Sequence, residues 1–236
     1  MSMDLAVIMI TDEITALMQL ASPALPIGGY SYSQGLEAAI DSGMVTDPVT
    51  ATQWVEELFL GVFAHGEAPL WLLSYEAWAR DDVQEASAWN DYFMATRETS
   101  ELRMETEQMG WSLLQLAGSL DWGQKKLEHL RSIKPLSLMT AHSYSALHLK
   151  IQAHNGLTAY GFSWLENQVA AAVKAIPLGQ VAGQRMLTSL RTAIPKMITE
   201  ATKRANANPP IIENFSPMMA ILSSRHETQY SRLFRS

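Results

Sequence analysis

The chain contains no cysteine. That excludes a disulfide framework, thiolate metal sites, iron–sulfur clusters and cysteine nucleophiles. It also has no run of about 18 or more apolar residues, so no membrane-spanning helix is expected. The apolar opening MSMDLAVIMI is too short for a signal peptide and carries Asp4 where a basic region would stand. Positive charge is in the minority: 17 Lys and Arg face 24 Asp and Glu, a formal net charge of −7. An acidic chain lacks the basic face with which a general nucleic-acid binder displaces counterions. These absences lead to the expectation of a cytoplasmic protein that engages neither nucleic acid nor membrane.

What is present points to helices. Of 236 residues, 47% are hydrophobic and 17% charged, enough for a folded core. Ala, Leu, Met, Gln and Glu dominate, and period-two alternation is rare. Phe162, Leu165, Val169, Val173 and Ile176 form one apolar stripe at helical spacing, which Pro177 should end. The next helix is expected to start near Leu178 or Gly179, with Gly183 as a close-contact point. Asp47-Pro48 reads as an N-cap followed by Pro at the first helical position. Leu102, Met109, Leu113, Leu116 and Leu120 mark a long helix expected to begin near Val83. The segments 21–29, 132–135 and 205–217 read as non-helical from their Pro, Gly and Asn content. The expected fold is all-α, a single compact domain of roughly eight to ten helices. A body over 1–204 is followed by a linker over 205–217 and a tail over 218–236.

Five features are candidates for function. The loop SPALPIGGYSYSQGLE (22–37) has a glycine pair but no Lys or Arg, which suits a rigid connector more than a phosphate cradle. Its Tyr30 and Tyr32 read as an amphipathic contact surface. In RETSELRMETEQMG (97–110), Glu98, Glu101 and Glu105 are spaced to share a helix face. They suit acid–base chemistry or a hard cation, or else form a solvated face laced with ion pairs such as Arg97–Glu101. His142, His148 and His154 recur every six residues and so do not share a helix face, and no catalytic or metal constellation is evident. The stretch VKAIPLGQVAGQ (173–184) reads as a helix–helix corner carrying Lys174, Gln180 and Gln184, suited to docking a polar partner.

The fifth is the tail SSRHETQYSRLFRS (223–236), with three arginines, a histidine, a tyrosine and a phenylalanine around the single acid Glu227. Arg and Tyr are frequent interface anchors, while chain ends are usually weakly ordered. The tail is therefore expected to be frayed or lightly packed until a partner arrives. Drawn as a helix, it would put His226, Tyr230, Leu233 and Phe234 on one side, with Arg225, Gln229 and Arg232 on another.

Four blocks together resemble the UreF family of urease accessory proteins: LMQLASPALPIGGYSYSQGLEAAI (17–40), 97–110, YGFSWLENQVAAAVKAIPLGQVAGQRML (160–187) and the tail. The resemblance implies an all-α, non-enzymatic adaptor, commonly a homodimer, between a partner called UreD or UreH and the GTPase UreG. That assembly delivers nickel to urease apoprotein, with no cofactor held stably by this chain. It assigns contact with UreD/UreH to Arg225, His226, Glu227, Gln229, Tyr230 and Arg232. Contact with UreG or a role in assembly is carried to Lys174, Pro177, Gly179, Gln180 and Gln184, and to Tyr30, Tyr32 and Glu37. The alternative is a metallochaperone that carries nickel itself.

Overall fold

A computed structural model describes residues 3–235, and every regular element among them is helical. In chain order the helices are α1 (Met3–Leu20), α2 (Leu36–Asp41), α3 (Pro48–Leu58), α4 (Glu67–Ala79), α5 (Val83–Ala95) and α6 (Ser100–Ser119). They continue with α7 (Leu127–Ser132), α8 (Leu138–His148), α9 (Ala153–Ala175), α10 (Gln180–Leu190), α11 (Ile194–Ala205) and α12 (Pro217–His226). No helix among the described residues is long and apolar enough to cross a membrane.

α4 and α8 pack against each other at the centre, with α5, α6, α9 and α11 around them. α4 is buried on all sides from Ala68 to Ser74, as is α8 from Met139 to Ala146. A helix apolar all round belongs inside a domain. The hydroxyls on α8 are satisfied locally. Ser143 donates to the Thr140 carbonyl and Ser145 to the Ala141 carbonyl, and the Ser74 and Ser143 hydroxyls lie 2.9 Å apart across the α4–α8 contact. Gly110 lets α6 approach the entry to α8: a Cβ there would lie 2.4 Å from the Leu136 carbonyl oxygen.

Most boundaries follow the expected local chemistry. Asp47 caps α3 by accepting from the Val49 and Thr50 amides. Ile176, turned extended ahead of Pro177, ends α9; α10 starts after Gly179, and Gly183 is buried against Val173. The helix expected from Val83 onward is instead two. Thr99 caps α6 by accepting from the Leu102 amide, and the Thr96 hydroxyl bonds the Phe93 carbonyl at the end of α5. Threonine hydroxyls compete for backbone groups in this way, and so break a helix without Gly or Pro. Arg97 and Glu98 therefore lie outside α6. Arg97 pairs with Glu67 rather than Glu101, and stacks on Phe93.

The segment 206–216 is irregular, and it is held to the body. The Glu213 amide donates to the His65 carbonyl, and Asn214 donates to the Thr96 hydroxyl. It delivers α12 onto α2 and α6.

A carboxylate clasp on the tail as the candidate interface

The site begins with Gly35, whose φ of 82° turns the chain into α2. The turn sets Glu37 in the first helical turn with its carboxylate facing the tail, where it accepts three bonds. The Leu233 amide donates to Oε1 at 2.7 Å, and the Phe234 amide and His226 Nε2 reach Oε2 at 3.0 Å each. From α6, Glu101 presents a second buried carboxylate. His226 Nδ1 lies 2.9 Å from its Oε2, and Arg232 donates to its Oε1 at 2.7 Å. His226 is thus 0% exposed between two carboxylates. With an acid at each ring nitrogen, this geometry suits a ring protonated at both. Two acids then face the imidazolium and Arg232, so the buried charge is compensated.

The clasp is continued on either side. Glu227 Oε1 accepts from the Ser100 amide and hydroxyl and from the Glu101 amide, so a tail residue caps α6. The Ser100 hydroxyl bond and these amides hold the Glu227 carboxyl below its ordinary range. The Ser223 hydroxyl lies 2.7 Å from that of Thr99, the N-cap of the same helix. On the far side Phe234 is buried beneath Lys174, whose ammonium lies 4.4 Å from the ring centroid and donates to the Leu233 carbonyl at 3.0 Å. The Arg235 amide reaches the Ser31 carbonyl at 2.7 Å.

Four separately singled-out parts of the chain therefore meet: Glu37 of the N-terminal block, Glu101 of the acidic stretch, Lys174 of the corner, and the tail. Several expectations are revised. The tail is seated on the body in the isolated chain, because Phe234 and the carboxylates supply burial and acceptors that a frayed end would lack. It is not one helix: α12 ends at His226, and residues 227–235 follow as turns and bends. Phe234 points inward, while Tyr230 is fully exposed at 105% and Leu233 is also exposed.

The individual residues divide accordingly. His226 is internal, and Glu227 and Arg232 spend their charges on α6. Arg225 and Tyr230 face solvent, and Gln229, half-buried, donates to the Ser231 carbonyl. Tyr32 is buried, its hydroxyl shifted above the usual phenol range first by burial, whereas Tyr30 remains exposed. At the corner, Pro177, Gly179, Gln180 and Gln184 are all exposed, joined by Val181 at 67%. Lys174 is not a free docking cation, since the tail occupies it.

The glutamate trio does not act as one face. Glu98 precedes α6, Glu101 belongs to the clasp, and Glu105 accepts from Gln34 at 2.7 Å. Among the described residues, no group of three or more His, Asp or Glu is arranged to hold a metal ion. Sequence reasoning missed Phe234 as a buried anchor and Glu101 as a tail acceptor. The adjacent Leu233-Phe234 pair in a largely polar segment was the available signal for the first.

Comparison with known proteins fits this architecture. The UreF family model matches residues 45–191. A urease accessory protein UreF of Polynucleobacter asymbioticus is 70% identical over 225 residues, covering 95% of this chain and 98% of its own length. One from Cupriavidus necator is 56% identical over the same shares. A bifunctional urease accessory protein UreEF of Bordetella bronchiseptica is 51% identical across 95% of this chain, which spans 52% of that longer protein.

Proposed function

The chain belongs to the UreF family of urease accessory proteins, and from that premise we propose that it is a non-catalytic, cytoplasmic adaptor. In this reading it bridges UreD/UreH and the GTPase UreG, forms a homodimer, and helps an assembly deliver nickel to urease apoprotein without holding the metal itself. The observation that carries the reading is the clasp. Buried charges fix the tail, so that Tyr230 and Arg225 stand outward from a rigid support. Large, amphipathic anchors on a preorganised surface lose little entropy on binding. The exposed Gln180, Val181 and Gln184 on α10 form a second surface suited to UreG. A relative whose name joins UreE and UreF supports assembly with a UreE-type component as well.

Lys174 holds the tail through the Phe234 ring and the Leu233 carbonyl, so substituting it should disturb the tail contact. Gln180→Ala with Val181→Ser should affect only the corner. The test is co-expression with UreD/UreH and UreG, followed by size-exclusion chromatography with light scattering. Arg225→Ala with Tyr230→Ala should remove UreD/UreH from the complex while leaving the fold intact. Co-elution at undiminished stoichiometry and affinity would refute the tail assignment.

A further inference from the structure

A second concave site lies beside the loop over residues 21–30, distinct from the clasp. It is a cavity of about 100 Å3. One wall is the loop over residues 21–30, and the others come from α4, α5, α6, α8, α9 and the α5–α6 connection that carries Arg97. Four buried polar atoms without hydrogen-bond partners belong to its lining residues: His142 Nε2, Arg97 Nε, Ser163 Oγ and Asn167 Oδ1. Buried polar groups are normally satisfied, so several orphans around one cavity call for a ligand.

Their chemistry is defined by their other bonds. Trp71 Nε1 donates to His142 Nδ1 at 3.2 Å, so the neutral ring carries its proton on Nε2, the atom left without an acceptor. His142 is 3% exposed, and burial lowers its pKa to about 3, which keeps the ring neutral. Arg97 can only donate from Nε. Asn167 donates its Nδ2 to the Tyr32 carbonyl at 3.2 Å, so its Oδ1 is left to accept. Two donors and an acceptor thus await partners, with the Ser163 hydroxyl able to serve either way.

The surroundings narrow the ligand. Glu67, Glu105 and Glu166 line the cavity against the single cation Arg97, which disfavours an anion. A metal cation is disfavoured as well: the unpartnered His142 nitrogen carries a proton rather than a free lone pair, and Arg97 lines the same cavity. Phe93, Tyr160 and Trp164 offer flat apolar walls. The geometry points to a binding site for a small, uncharged, planar amide-type molecule. Its carbonyl oxygen accepts from His142 Nε2 and Arg97 Nε, and its N–H donates to Asn167 Oδ1. The loop 22–37, which the tail uses through Ser31 and Glu37, acquires a further role as a wall of this site.

The test uses the full chain and acetamide as probe, followed by two-dimensional amide NMR. Acetamide should give saturable shifts confined to residues around Gly29, His142, Ser163 and Asn167, with the His142 Nε2–H resonance among those that move. Asn167→Leu should weaken saturation by about tenfold or more, the scale of a lost buried hydrogen bond. Ser163→Ala, which disturbs no other bond, should weaken it by less and serves if Asn167→Leu does not fold. Acetate binding as well as acetamide would overturn the ligand class. Shifts that fail to saturate, or a His142 Nε2–H that reports water contact alone, would overturn the site.

Discussion

Glu37→Gln keeps the shape of the side chain and removes its charge, which makes it the sharpest probe of the clasp. The carboxylate accepts from the Leu233 amide, the Phe234 amide and His226 Nε2. Glutamine has one oxygen and one NH2, so at least one of these three donors must face another donor. A hydrogen bond to a charged group contributes about 1.5–3 kcal/mol, and unpairing one member of a buried charge cluster costs about 3–5 kcal/mol. A loss near 3 kcal/mol for tail closure is therefore expected, or roughly a hundredfold in the opening equilibrium. Native-state hydrogen exchange reads this directly. In the wild-type chain the Leu233 and Phe234 amides should be protected; in Glu37→Gln their protection should fall by roughly that factor. Amides of Leu72 and Tyr144, in the α4–α8 centre, should change little because the opening is local. Equal protection of Leu233 and Phe234 in the two chains, or no protection in either, would refute the clasp.

Lys174→Met keeps the aliphatic stem over Phe234 and removes the ammonium. Losing a surface cation–π contact and one hydrogen bond should loosen the tail by about 1–2 kcal/mol, visible as faster exchange at Phe234 with an unchanged melting temperature of the body. Gly110→Ala drives a Cβ into the Leu136–Leu138 backbone and should destabilise the whole fold by about 2–3 kcal/mol in chemical denaturation. His142 titrates near 3 when folded against an ordinary 6.5. The unfolded chain therefore binds the extra proton first: stability from this residue is intact above pH 6.5 and lost as pH falls toward 3, at about 1 kcal/mol per pH unit. His142→Gln should flatten that slope in pH-dependent denaturation. Glu227, with its carboxyl lowered by Ser100, contributes stability above the ordinary carboxylate range that fades in acid, so Glu227→Gln should reduce melting temperature at pH 7 more than in acid.

The helical architecture was legible because its signals are local. The stripe through Leu165, Val169 and Ile176, the Asp47-Pro48 cap and the stop at Pro177 all act within a few residues. The break between α5 and α6 was harder, since Thr96 and Thr99 end and start helices through hydroxyl bonds that composition alone does not reveal. The tail stood out for its aromatic and arginine content, but its packing did not. Seating it requires Glu37, whose contact role came only from the family resemblance, and Glu101, which spacing assigned to an acidic face. Nothing near either in the chain announces a partner so distant. The inner cavity was invisible for the same reason: its polar lining comes from Arg97 between α5 and α6, His142 in the middle of α8, and Ser163 and Asn167 in the middle of α9.

The bond between His226 and Glu37 joins residues 189 positions apart. In an unfolded chain, closing a loop of that length costs roughly 5 kcal/mol of entropy. Once α1 to α11 have assembled, only the span from α11 through α12 is left to search, and the cost falls to roughly 3 kcal/mol. The clasp is thus improbable before the body exists and quick to close afterwards. It should be absent from the folding transition state, so substitutions such as Glu37→Gln should leave the refolding rate of the body unchanged. Whatever stability the clasp adds to the whole chain will appear in the unfolding limb, making the tail a brake on unfolding rather than a nucleus for folding.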